Sequence, residues 1–224
     1  MKPAVILCDI EGTTTSLSFV HTVLFPISYE KMEEFIRKQW TTGFIQDEIE
    51  TLRKANPQAD SDEIVSMLRH WILEDRKDPA LKSIQGKIWK EAYESGTIRS
   101  HVYPDVPENF RKWFAENIKV CTYSSGSVEA QKLLFRYSEA GDLTPYISEY
   151  FDTRVGTKRN SASYSNIAKN LRIDPPGVLF LSDVEEELNA AREAQMQTTQ
   201  VLRENVVENK SGHPIVNTFD EIKL

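Results

Sequence analysis

The chain has 224 residues, 40% of them hydrophobic and 27% charged, with a net charge of −7. That length suffices for one large domain or two modest ones with a proper core, and the acidic balance argues against a nucleic-acid binder, which normally shows a basic face. No apolar run approaches a membrane span, and the N-terminus lacks the basic region and cleavage site of a signal peptide.

The two cysteines, Cys8 and Cys121, both lie within apolar runs and read as buried thiols, which fits a reducing compartment. The four histidines (His21, His70, His101 and His213) are far apart and form no zinc-ligand spacing.

The first element is Ala4-Val5-Ile6-Leu7-Cys8, an unbroken apolar run that reads as a short buried strand. Asp9 falls where that strand ends, and Glu11 follows two residues later. Both carboxylates then face one point if the backbone stays extended between them. Gly12 allows a tight bend, and Thr13-Thr14-Thr15-Ser16 supplies hydroxyls and loop N–H groups. Two anions this close repel each other unless a cation lies between them, and Mg²⁺ takes carboxylate oxygens of this kind. The ordinary alternative is a solvated strand-to-turn junction.

From residue 17 to about 101 the pattern is helical. Phe19, Val20, Val23 and Leu24 recur at helical spacing, and Pro26 marks a break or a first turn. Residues 31–40 and 47–54 follow as helices, the second closed by Asn56-Pro57. Ser61-Asp62-Glu63-Ile64 resembles a helix start, and a further helix carries Leu81, Ile84, Ile88, Trp89 and Tyr93.

Alternation resumes after Tyr103-Pro104-Asp105. A helix through Phe110 and Trp113 precedes a second buried strand, 118–123, which ends in Ser124-Ser125-Gly126-Ser127. Then come a helix with Leu133 and Leu134, an irregular stretch over 146–155 with a short strand, Gly156-Thr157-Lys158, and a helix over 161–171. A third buried strand, 178–182, runs into Asp183. A helix over 185–194 and a last strand over 198–202 complete the pattern, and 206–224 is weakly specified. The expected fold is α/β: a Rossmann-like core with a central parallel sheet flanked by helices, and an all-helical insert after the first strand.

In such a sheet, ligands bind outside the carboxyl ends of the strands. Asp9 and Glu11, Ser124 and Ser125, and Asp183 all fall at strand ends, and Lys158 sits at a loop-to-helix entry between the last two. Singly, Ser124 has an alternative as a turn residue or cap, Lys158 as a surface charge, and Asp183 as a helix N-cap. Jointly they supply carboxylates for a cation, hydroxyls and N–H groups for an anion, and one fixed positive charge. That set suits phosphate handling, where catalysis is mostly positioning and charge neutralisation.

The order of these motifs resembles the haloacid dehalogenase (HAD) superfamily of phosphohydrolases, through Asp9-Ile10-Glu11-Gly12-Thr13, Ser124, Lys158 and Ser182-Asp183. Glu11 stands where the superfamily usually has a second Asp. With Thr13-Thr14, it points to the enolase-phosphatases of methionine salvage (acireductone synthases). Gln85-Gly86-Lys87-Ile88-Trp89, His101-Val102-Tyr103-Pro104-Asp105-Val106, Tyr123 to Gln131 and Phe151-Asp152-Thr153 resemble the same group. The chain departs from it at Ala92 and Ser100, and at Gln195 before Met196, where glycine is expected. Arg203-Glu204-Asn205 replaces Arg-Pro-Gly-Asn.

The resemblance implies a discontinuous HAD core over 1–16 and 105–224, and a cap over 17–104 that closes on the substrate and excludes water. It implies Asp9 as nucleophile and Glu11 as general acid and base. Ser124, Ser125 and Lys158 would bind substrate, and one Mg²⁺ per subunit would be held by Asp9, Glu11 (through its backbone, as in the wider family) and Asp183. Glu187, one helical turn after Asp183, would orient its neighbours or lie on a solvated face. The implied substrate is 2,3-diketo-5-methylthiopentyl-1-phosphate, enolised and then dephosphorylated to an acireductone. A HAD-type Mg²⁺-dependent phosphatase of another small phosphorylated metabolite is the alternative. The implied setting is a cytoplasmic monomer (also nuclear in a eukaryote) without nucleic-acid or membrane partners.

Overall fold

The computed structural model describes residues 2–54, 56–203 and 212–224. Glu204 and Asn205 of the departing motif, and the first part of the weakly specified 206–224 stretch, lie outside the described residues. No helix among the described residues is long and apolar enough to cross a membrane.

The chain forms two units, one made of Met1–Leu17 with Arg99–Leu224 and one of Ser18–Ile98. The first is built on a six-stranded parallel sheet in the order β3-β2-β1-β4-β5-β6. Its strands are β1 (Val5–Cys8), β2 (Lys119–Tyr123), β3 (Ile147–Phe151), β4 (Val178–Ser182), β5 (Gln197–Val201) and β6 (Ile215–Val216). The last is a two-residue strand that the weak pattern of the tail did not signal.

Central β1 is buried on both faces, as a strand covered by helices on either side must be. Its alternate residues feed two cores. Ile6 and Cys8 pack with Val106, Phe110, Trp113 and Phe135 on one side. Val5 and Leu7 pack with Tyr164, Ile167, Leu188 and Ala191 on the other.

The Ser18–Ile98 unit is helical. A three-residue turn α1 (Leu17–Phe19) leads through a wide π turn, Val20–Leu24, into α2 (Phe25–Gln39). Pro26 therefore sits at the first positions of α2, where its missing N–H is tolerated. There follow α3 (Gln46–Arg53), α4 (Ser61–Leu73) and α5 (Pro79–Glu94). The cap of α4 is Asp60, one residue before the expected start. Its carboxylate accepts the N–H groups of Asp62 and Glu63, while Glu63 reaches back to the Asp60 N–H. The apolar stripes meet in a separate core of Met32, Phe35, Ile36, Ile64, Leu68, Ile84 and Ile88. They are packing surfaces.

The return boundary falls at Arg99, earlier than the expected 105. The reason is hydrogen bonding: the N–H of Ser100 donates to the Tyr137 carbonyl, and that of Tyr103 to the Thr14 carbonyl. Beyond this come α6 (Asp105–Ala115), α7 (Val128–Arg136), α8 (Ser161–Leu171) and α9 (Glu185–Glu193).

Of the three positions where glycine was expected, only Gln195 has a backbone that calls for it. Ala92 lies within α5, and Ser100 is outside the left-handed region. Gln195 closes α9 at φ +67°, with its N–H on the Arg192 carbonyl. A left-handed L-residue costs about 1–2 kcal/mol. Gln195→Gly is therefore expected to raise stability by about 1 kcal/mol, measured as the denaturant midpoint at an unchanged slope. An unchanged or lower midpoint would contradict this.

Candidate active site

The strand register builds the site. Cys8 is level with Thr122 of β2 and Leu181 of β4. Asp9, Ser124 and Asp183 therefore leave the sheet at its common carboxyl edge, where peptide N–H groups and short loops face outward.

The loop after β1 is wound tightly. The Ile10 carbonyl accepts the N–H groups of Thr13, Thr14 and Thr15 at 3.1, 2.9 and 3.0 Å. Gly12 makes the bend at φ +80°, and a Cβ placed there would lie 2.4 Å from Asp183 Oδ2. The position needs glycine twice over, for the backbone angle and for the space. Gly12→Ala is expected to abolish most activity and to cost at least about 2 kcal/mol of stability, read by thermal unfolding together with phosphate release. Wild-type values for both would refute this account of the loop.

Asp9 is 2% exposed. Its Oδ1 accepts the Ile10 N–H at 2.7 Å and Lys158 Nζ at 2.5 Å, and Ser182 Oγ stands 3.4 Å from Oδ2.

Lys158 arrives from a turn in which Gly156 takes φ +132°. The Tyr123 hydroxyl donates to the Gly156 carbonyl at 2.9 Å and the Tyr164 hydroxyl to the Lys158 carbonyl at 2.7 Å, so two buried aromatics fix the backbone that carries the amine. The Lys158 side chain is 11% exposed and pairs with Glu187 at 2.7 Å as well as with Asp9. Burial alone would lower its pKa, but the two carboxylates outweigh it and raise it. Lys158 is not a solvated surface charge.

Ser124 is buried, and its Oγ donates toward the Glu11 carboxylate, 3.0 Å from Oε2 and 3.3 Å from Oε1, while accepting the Gly126 N–H at 3.0 Å. Gln131 ties this turn down. Its Nε2 donates to the carbonyls of Gly126 and Phe151, and its Oε1 accepts the Thr122 hydroxyl. Ser125 lies exposed next to Ser124. The cap of α7 is Ser127, through the Ala130 N–H, so Ser124 is left to the edge.

Asp183 does not cap α9, which begins after Val184 with no side-chain cap. Its N–H donates to Thr13 Oγ1 at 3.0 Å, and the same hydroxyl donates to its Oδ1 at 3.4 Å.

Burial, and after it the charge of Asp9, pushes Asp183 up to about 6. The same two causes push Glu187 to about 7, restrained by Lys158, and raise Glu11. Glu187 is thus no solvated face residue. It holds Lys158 and accepts the Ser182 hydroxyl at 3.2 Å.

Among the described residues, no three His, Cys, Asp or Glu side chains converge as a ready metal cage. The Glu11 carboxylate is turned to Ser124, which leaves the carboxylates of Asp9 and Asp183 and the backbone of Glu11 as the expected donors. Asp9 and Asp183 remain as two acids close enough to raise the proton affinity of Asp183. One or two carboxylates, with substrate phosphate and water, are the donor set Mg²⁺ takes, so the residues fit that ion.

Arg203 is the contributor that the sequence reading did not place. It lies two residues beyond the end of β5, donates from Nε to the Thr13 carbonyl at 2.9 Å, and holds Asp105 through Nη1. The available signal was the strand-end rule, which applies to this strand as it does to β1, β2 and β4.

Comparison with known proteins supplies the remaining findings. Residues 3–195 match the haloacid dehalogenase-like hydrolase family. Enolase-phosphatase E1 of Serratia proteamaculans (strain 568) is 47% identical over 98% of this chain and 96% of its own length. Enolase-phosphatase E1 of Pseudomonas fluorescens (strain Pf0-1) is 43% identical, covering 100% of this chain and 98% of its own. The crystal structure of the UTR4 protein of Saccharomyces cerevisiae superposes with a TM-score of 0.85 at 30% identity, covering 99% of this chain and 100% of that one.

Proposed function

This chain belongs to the enolase-phosphatase E1 family of haloacid dehalogenase-like hydrolases, and on that premise we propose how its residues divide the work. The enzyme is an enolase-phosphatase of methionine salvage. Its substrate is read as 2,3-diketo-5-methylthiopentyl-1-phosphate, taken first to the enol phosphate and then to the acireductone and phosphate. The observation that carries the reading is the charge pattern at the sheet edge: buried Asp9 with Lys158 and Glu187 to one side, Asp183 on Thr13, and Glu11 on Ser124.

The Asp9 and Asp183 carboxylates and the backbone of Glu11 would hold Mg²⁺. The bound ion would supply positive charge that shields the nucleophile from the phosphate and stabilises negative oxygen during enolisation.

An Asp9 carboxylate oxygen attacks phosphorus, the bond from phosphorus to the ester oxygen breaks, and an aspartyl-phosphate forms. Glu11 gives its proton to the leaving oxygen. It then takes one from the water that attacks the aspartyl-phosphate, which returns Asp9 as a carboxylate and releases phosphate. Lys158 supports the phosphoryl oxygens, Ser124 offers a hydroxyl, and Ser125 places the rest of the substrate. Glu187 and Tyr164 keep Lys158 aimed, through its amine and its carbonyl respectively.

A panel of small phosphomonoesters that includes the diketo phosphate tests the assignment. The expected result is a kcat/KM for the diketo phosphate at least about a hundredfold above every other member, a gap of about 2.7 kcal/mol in transition-state binding. A better rate with another phosphorylated metabolite would overturn the substrate and leave the phosphatase chemistry in place.

A further inference from the structure

The side chain of Arg203 is 5% exposed and that of its partner Asp105 is 8% exposed. Its Nη1 lies 2.8 Å from both Asp105 oxygens, while the Phe219 N–H reaches Asp105 Oδ2 at 2.6 Å. The guanidinium carbon stands 4.4 Å from the centre of the Tyr103 ring and 4.7 Å from that of Phe219. A planar cation held by a carboxylate and two rings has little freedom to turn. Its Nε–H is thereby aimed at the Thr13 carbonyl.

Thr13 is fully buried, so no water replaces a lost donor on that carbonyl. The hydroxyl of the same residue bonds both the N–H and Oδ1 of Asp183. Thr13 is therefore clamped from both ends, by Arg203 through its backbone and by Asp183 through its side chain.

We infer that Arg203 is a positioning residue for the divalent cation: it acts through Thr13 to set the orientation of the Asp183 carboxylate. The inference rests on the reading of Asp9 and Asp183 as the carboxylates for that ion. Lysine would keep the charge but cannot hold Asp105 and the Thr13 carbonyl together with a fixed fork.

The test is a Mn²⁺ titration of the full chain, followed by electron paramagnetic resonance, for wild type, Arg203→Lys, Thr13→Val and the double variant, with thermal unfolding recorded for each. Arg203→Lys is expected to weaken Mn²⁺ binding about tenfold, in the range found for residues that orient metal ligands. Thr13→Val should do the same, and the double variant should be no weaker than the worse single variant, because both act on one carboxylate. At saturating metal, the kcat of Arg203→Lys should return to within about threefold of wild type, which separates loss of metal from loss of catalytic groups.

Unchanged Mn²⁺ binding in Arg203→Lys would overturn the inference, and so would losses that multiply in the double variant. Should Arg203→Lys fail to fold, Asp105→Asn, which leaves the guanidinium in place and removes the charge that aims it, is read by the same criteria. Wild-type protein that binds no Mn²⁺ would overturn the metal reading itself, a result distinct from failure of the Arg203 variants.

Discussion

Asp9→Asn is expected to end phosphate release, with a fall of at least about 10⁴-fold, while the protein stays folded. The change removes the charge and the nucleophile but keeps the shape of a buried side chain, so it opens no cavity in the edge of β1. The amide oxygen still accepts the Ile10 N–H and the Lys158 amine. Enolisation needs no bond from Asp9 to phosphorus, so it is expected to survive at saturating Mg²⁺. The variant fed the diketo phosphate should then accumulate the conjugated enol phosphate, seen by ultraviolet absorbance, without free phosphate. Phosphate release near the wild-type rate would remove Asp9 from its role.

The second large effect is that of Lys158→Ala. Truncation removes the cation between Asp9 and Glu187, both largely buried, and breaking a buried pair in this way costs about 3–5 kcal/mol. The loss should depend on pH, with a definite sign. Glu187 in the folded protein is already raised to about 7 by burial and by Asp9, above its ordinary range, and it loses the restraining effect of Lys158 in the variant. Between the unfolded and folded pKa values the native state binds more protons than the unfolded state, so stability rises as pH falls through that window. The deficit relative to wild type should be largest above pH 7 and should shrink toward pH 5, as followed by denaturant unfolding. Activity should fall by about 10²–10³-fold, in both kcat and KM, because the amine supports phosphate in the ground state and during transfer. A deficit independent of pH, or an unchanged KM, would contradict this role.

The central architecture was legible because β1 and β4 are buried on both faces and read as apolar runs that stop at a polar residue, while β2, buried from Val120 to Tyr123, carries Thr122 within it and stops at Ser124. The strand-end rule then placed Asp9, Ser124 and Asp183 together, and the parallel register does so in the structure. Three features were hidden for physical reasons. The direction of the Glu11 side chain is one: the tight turn at Ile10 and Gly12 sends its carboxylate to Ser124, and only its backbone is left for a shared cation. The role of Arg203 depends on contacts with Thr13, Asp105 and Phe219, which no local pattern links to it. The short β6 is two residues long and borrows its order from β5, so its own composition carried little signal. Gln195 is the reverse case. The sequence marked the departure from glycine, and only the backbone angle shows what it costs.

We assign both steps, in a fixed order, to one sheet edge. A single turnover of wild-type enzyme with the diketo phosphate, followed at once by ultraviolet absorbance and by a phosphate sensor, tests it most directly. With Mg²⁺, the enol phosphate signal should rise first and phosphate should follow as it decays. With excess chelator, neither signal should appear. Phosphate released before any enol forms would contradict the order, and enolisation that persists in chelator would contradict the shared site.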